Sequence, residues 1–185
     1  MVDSVMQVIP QALSVLSELA PLLSAIAALA SVIIACVAVW FSHKQMNMHE
    51  QHNRLMATPH LSGWNHVEDA TGTYIFTLEN NGLGPAIVRE ISLWVDGVLQ
   101  EGAGTDLVDA AVQQLFSAEA PSDYGAEMFT VGEFIAVGKK FNILTVRFKD
   151  KGPDTVRAYV AEKAKLQIRY DSILGDSYFF DSDKD

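Results

Sequence analysis

One uninterrupted apolar run, Leu19 to Phe41 (LAPLLSAIAALASVIIACVAVWF), constrains this chain more than anything else in it. It holds no charged residue, and at about 1.5 Å per helical residue it crosses a hydrocarbon core of roughly 30 Å. A cleaved leader needs a basic start, a shorter apolar core and a small-residue exit. Here Asp3 and Glu18 precede the run without any Lys or Arg, and bulky Trp40 and Phe41 end it where an aromatic belt belongs. The run reads as a retained membrane-spanning helix, so the lipid bilayer is the first partner.

Its flanks divide the rest of the chain. Residues 1–18 place Val5, Val8, Ile9, Ala12, Leu13 and Leu16 on an approximate helical stripe broken by Pro10. That pattern fits either a short interfacial segment or a frayed extension of the span. Residues 42–58 continue the helix into water until Thr58-Pro59 stops it, because the residue before proline is driven toward extended conformations. Lys44 and Arg54 follow the span and only the terminal amine precedes it, so the positive-inside rule puts the N-terminus outside and the C-terminal domain in the cytoplasm. Within the span Ala27, Ser31 and Ala35 recur every four residues, with Ser24, Ala28 and Ala38 near the same side. Such a face lets two helices approach closely, although alanine is common in spans for no such reason. Pro21 fits the first helical turn if the helix starts near Ala20.

Residues 59–185 are long enough for one soluble domain with its own core. The chain carries a formal charge of −10, and from Leu61 onward 20 acids face 11 bases, or −9. That balance repels phosphate backbones, and no basic stripe with interleaved aromatics occurs, which excludes nucleic acid as a partner. The only cysteine, Cys36, lies in the span, so the domain has neither disulfides nor Cys-bound metal.

Hydrophobic period drops to two after His60. Tyr74, Phe76 and Leu78 share a face, as do Ile87, Ile91, Leu93 and Val95, with Arg89 as an exception. Leu144, Val146 and Phe148 alternate with polar residues, and so do Leu166, Ile168 and Tyr170. Strands with one wet face predict antiparallel sheets. Turn signals separate them at Asn81-Gly82, Asp96-Gly97, Lys151-Gly152-Pro153 and Leu174-Gly175-Asp176. About seven strands predict an immunoglobulin-like antiparallel β-sandwich. One inserted helix is expected at residues 105–118, capped by Thr105 or Asp106 and striped by Leu107, Val108, Ala111, Leu115 and Phe116.

Four stretches also form a recognisable set: HNRLMATPHL (His52 to Leu61), LENNGLGPAIV (Leu78 to Val88), VDG (Val95 to Gly97) and IRYDSILGDSYFF (Ile168 to Phe180). Together they resemble a group of uncharacterised bacterial membrane proteins with one N-terminal span, a juxtamembrane HNRL…PHL element and an N-x-G-x-GPA strand–loop–strand. Met56-Ala57-Thr58 departs from that pattern, where polar or basic residues are more usual. Leu78 to Gly97 is also similar to immunoglobulin-like adhesion and interaction modules. The first resemblance implies a bacterial inner-membrane protein and no established activity; the second supports the fold rather than a function. Asn81-Gly82 supplies residues tolerant of positive φ, and Gly84-Pro85 adds a bend; the loop Asn81, Gly82, Gly84, Pro85 is a structural turn or a recognition loop on a rigid scaffold.

Candidate chemistry is sparse. All five histidines lie between positions 43 and 66, and HEQH (His49 to His52) is one residue short of the HExxH zinc motif. No histidine follows His66, no G-x-S-x-G occurs, and Pro85 spoils the glycine loop as a phosphate cradle. The DSDKD end lacks the glycine and final Glu of a calcium loop and reads as a solvated tail. No catalytic, cofactor or metal residue is assigned. The expectation is a non-enzymatic, membrane-anchored protein that binds a protein partner or itself. A membrane effector that oligomerises, with the β domain as its sensor, is the alternative.

Overall fold

The computed structural model describes residues 2–184, with side chains from Leu19 onward. The expected stripe between Val5 and Leu16 therefore lies outside the residues whose side chains are described. One helix, α1 (Val2–Met56), contains the apolar run and continues past it to the β domain. Leu19–Met56 is long and apolar enough to cross a membrane, and its large apolar side chains, such as Leu29, Ile34 and Trp40, are exposed. Lipid is the solvent such a surface calls for. Pro21 is not in a first turn, as expected, but inside α1. There it withholds the amide that would bond the carbonyl four residues back.

The chain divides into two compact units, Met1–His52 and Asn53–Asp185. The second is an antiparallel β-sandwich, as the alternating periods predict. Its strands are β1 (Leu61–Glu68), β2 (Thr73–Asn80), β3 (Ala86–Val95), β4 (Val98–Leu99), β5 (Asp123–Gly125), β6 (Phe134–Ile135), β7 (Lys140–Arg147), β8 (Ala164–Asp171) and β9 (Ser177–Asp181). One sheet has the order β1-β2-β7-β5; the other is β4-β3-β8-β9, with β6 also on β3. Leu61, Tyr74, Leu78, Val88, Val95, Val146, Ile168 and Phe180 fill the space between them. Each buried side chain of this size contributes about 1.5–3 kcal/mol relative to exposure. Where β1 meets β9 the sheets approach so closely that a Cβ on Gly63 would stand 3.0 Å from the Phe180 ring.

Three local expectations change. Ile87 does not share the face of Leu93 and Val95: the register with β8 shifts between Val88 and Glu90, so Ala86 and Val88 point inward before the bulge and Leu93 and Val95 after it. The bulge accounts for Arg89 breaking the alternation. Two helices, not one, are inserted: α2 (Thr105–Leu115) and α3 (Pro153–Lys163). Gly104, with φ 58°, occupies the N-cap of α2 without any side-chain cap, so neither Thr105 nor Asp106 caps it. The inward stripe of α2 is as expected, with Leu107, Val108, Ala111, Leu115 and Phe116 buried. α2 packs on β3 and α3 packs on β1, β2 and β8, while the Tyr159 hydroxyl of α3 donates to the Leu115 carbonyl at 3.0 Å.

Candidate functional site

The sequence-predicted loop lies at the end of the sandwich where the chain leaves α1. Residues 57–60 connect helix and β1, and the loop 81–85 connecting β2 to β3 folds directly onto them. The Thr58 carbonyl accepts from the amides of Leu83 (2.9 Å) and Gly84 (3.0 Å), and the His60 carbonyl accepts from Asn81 (2.7 Å). Main chain lies against main chain here. A Cβ on Gly84 would collide with the carbonyl of Ala57, and one on Gly82 would lie 2.6 Å from Pro59 Cα. Neither glycine has positive φ. The two glycines are therefore needed for close approach, not for the left-handed backbone that the Asn-Gly pair predicted.

Asn80 organises the contact and was missed in the sequence. It is fully buried at the end of β2. Its Oδ1 accepts from the amides of His60 (3.1 Å) and Gly82 (3.0 Å), and its Nδ2 donates to the carbonyls of Gly84 (2.9 Å) and Ile135 (3.0 Å). One side chain thus closes four main-chain valences across three segments. The signal was present: Tyr74 and Leu78 set an inward alternation, which puts a polar residue at the core position 80. Asn81, by contrast, is exposed and donates to Ser62 Oγ at 2.6 Å.

The β8–β9 loop completes this end. Ser172, 2% exposed, accepts the amides of Leu174 and Asp176 on its hydroxyl at 3.2 Å each, which fixes the turn through Gly175 (φ 86°). Arg54, in the last turn of α1, pairs with Asp176 at 3.7 Å. The Tyr170 hydroxyl accepts the Leu61 amide at 3.2 Å. Three of the four stretches that carry the resemblance, all but VDG, thus meet in one collar. Asp96-Gly97 closes the β3–β4 hairpin instead, with φ of 49° and 76°, the geometry of a type I′ turn.

The collar exposes apolar side chains next to polar Asn81 and the Arg54–Asp176 pair: Leu83, Ile173 and Leu174 sit at loop tips with 53–61% of their surface exposed, and Leu55 and Met56 of α1 are exposed too. Gly84 is buried and Gly82 and Pro85 are half-buried, so what the loop offers outward is Leu83 together with Asn81.

In the span Ser24, Ala27, Ala28, Ser31, Ala35 and Ala38 are all exposed. The Ser24 hydroxyl donates to the Pro21 carbonyl and the Ser31 hydroxyl to the Ala27 carbonyl, both at 2.8 Å. These hydroxyls are satisfied within their own helix, so the face offers close packing rather than interhelical hydrogen bonds. Among the described residues no group of three or more His, Cys, Asp or Glu could hold a metal ion.

Of the solvated tail expected at DSDKD, Asp183 and Lys184 are exposed but Asp181 is not. Asp181 is 3% exposed; Lys165 reaches its Oδ1 at 3.2 Å and Gln167 Nε2 donates to its Oδ2 at 3.1 Å. Burial pushes this carboxyl up, but the hydrogen bonds from Gln167, the Asp183 amide and Lys165 outweigh it and hold it below the ordinary aspartate value. Neither a protein-family model nor a curated protein matches the sequence.

Proposed function

We propose that this is a non-enzymatic, membrane-anchored binding protein whose immunoglobulin-like β domain recognises a protein partner or a second copy of itself. Strand order supports the immunoglobulin-like reading: β1-β2-β7-β5 against β4-β3-β8-β9 corresponds to ABED against C′CFG, with α2 and α3 as insertions. The observation that carries the binding reading is the collar. Leu83, Ile173 and Leu174 are large, apolar and exposed on loops whose backbones Asn80 and Ser172 already hold. Side chains on fixed loops sacrifice little freedom on contact, which is how a recognition surface gains affinity. Lys44 and Arg54 after the apolar run support a cytoplasmic β domain, and the resemblance of the HNRL…PHL and N-x-G-x-GPA elements implies a bacterial inner membrane.

A photoreactive benzophenone residue at position 83 tests this in membranes, with position 117 as a control on exposed surface. One discrete adduct, either a dimer or a single defined partner, is expected from position 83 alone, and it should vanish when Ile173 and Leu174 are both changed to Asp. Monomer at both positions would overturn the reading. One observation favours the effector alternative: α1 runs unbroken from the span to Met56, and its residues from Asn53 on belong to the β unit. Entry of an impermeant dye on expression, abolished by Ser31→Leu, would select that reading.

A further inference from the structure

At the end of the sandwich away from the collar, α2, α3 and both sheets line a half-open cavity of about 390 Å³. Its wall comes from every layer: Tyr74 and Leu144 from one sheet, Leu93 and Leu166 from the other, Val112 from α2 and Val160 from α3. Eleven of the fifteen lining residues are aliphatic or phenylalanine. Native cores hold few voids larger than a water molecule, and an ordered water needs two to four polar partners. This pocket is half open to solvent, and its mainly apolar wall offers an ordered water few partners.

Polar groups gather at one edge, where Asn65, Tyr74, Ser182 and Asp183 line the cavity. The Tyr74 hydroxyl donates to Asn65 Oδ1 at 2.6 Å, so its proton is used and only its lone pairs remain to meet a ligand. Asp183, paired with Lys165 at 2.8 Å, puts a carboxylate at the same edge of a domain that is already acidic. Lys165 balances Asp183 and the charge of Arg157 reaches Tyr74, so the selection rests on Tyr74: an acceptor there favours an end group with a proton to give, which a hydroxyl has and an ionised carboxylate lacks.

We propose that this cavity binds one neutral hydrocarbon molecule ending in a hydroxyl, with the chain among Leu93, Val112 and Leu166 and the hydroxyl on Tyr74. A cavity of about 150 Å³ takes six-carbon benzene, so by proportion 390 Å³ takes about fifteen carbons. That size is within the ordinary range of roughly 300–1,000 Å³ for small-molecule sites. Hydrocarbon chains ending in a hydroxyl partition into bilayers, and α1 is long and apolar enough to cross one. The site is independent of the collar, and neither proposal needs the other.

The test uses the full chain in lipid nanodiscs and a twelve-carbon alcohol carrying a photoreactive diazirine. Peptide mapping should find label on the cavity wall, around Tyr74, Leu93 and Leu166, as well as on the span. Excess dodecanol should remove the wall label, and equimolar laurate should remove much less. Ala111→Phe, which fills the cavity, should lower wall labelling at least fivefold while span labelling stays constant. Tyr74→Phe keeps the wall's shape and should weaken dodecanol competition about fivefold, the worth of one hydrogen bond. Label confined to the span, wall label that dodecanol does not compete, or equal competition in Tyr74→Phe and the native chain would each overturn the proposal.

Discussion

Replacing Asn80 with leucine removes the side chain that joins three segments of the collar, and the cost can be worked from its four hydrogen bonds. Leucine keeps the branched shape but is bulkier, so overpacking adds to the cost of the lost hydrogen bonds, and the polar terms set its lower bound. The amides of His60 and Gly82 lie on residues with some exposure, where water can replace Oδ1. The carbonyls of Gly84 and Ile135 belong to buried residues and lose their Nδ2 donor outright. A buried polar group left unpartnered costs about 1–3 kcal/mol, so two of them give about 2–6 kcal/mol. Against a typical domain stability of about 5–15 kcal/mol that is a large fraction. Near-UV circular dichroism of the purified full chain, melted in detergent, reads the loss as a fall in Tm of roughly 6–20 °C. Asn81→Ala is the internal comparison, because Asn81 is exposed and makes one side-chain bond to Ser62; it should cost less than about 1 kcal/mol. Equal costs at 80 and 81, or a loss below about 1 kcal/mol for Asn80→Leu, would refute the reasoning.

Two further predictions concern the same domain. Gly84→Ala drives a methyl into the Ala57 carbonyl and should destabilise by about 1–3 kcal/mol, whereas Gly125→Ala, with open space at its Cβ, should stay within about 0.5 kcal/mol; urea midpoints of the two variants check this. Asp181 has a folded pKa held below its unfolded value of about 3.9, so its stabilising contribution is present above that pH and lost as pH falls through the folded value. Asp181→Asn should therefore lower the urea midpoint at pH 7 and leave a shallower loss of stability between pH 5 and pH 2 than the native chain shows; parallel pH profiles would contradict the assignment.

How far the fold was legible depended on which signals were local. The long apolar helix is legible because twenty-three consecutive uncharged residues, Leu19 to Phe41, are long and apolar enough to cross a membrane. β2 and β8 are legible because Tyr74-x-x-x-Leu78 and Leu166-x-Ile168-x-Tyr170 keep strict alternation. β3 misled at Ile87 because a bulge reverses the inward face partway along, and a periodicity count assumes an unbroken register. α3 escaped notice because only Val156 and Val160 of its eleven residues are buried, one turn apart, too little for a stripe. Asn81-Gly82-Leu83-Gly84 was visible as a turn. Its glycines answer to a segment some 25 residues earlier, and that cause is tertiary. Nothing in the sequence order announced the cavity, whose wall is assembled from five strands and two helices.

The central proposal is an anchored β domain on the cytoplasmic face of a bacterial inner membrane, and a topology reporter tests it most directly. Fusing green fluorescent protein after Asp185, and alkaline phosphatase at the same position in a parallel chain, reads the side on which the domain lies. The account predicts membrane-bound fluorescence and no phosphatase activity, with both fusions released only by detergent. Phosphatase activity without fluorescence, or release of either fusion by salt alone, would contradict it.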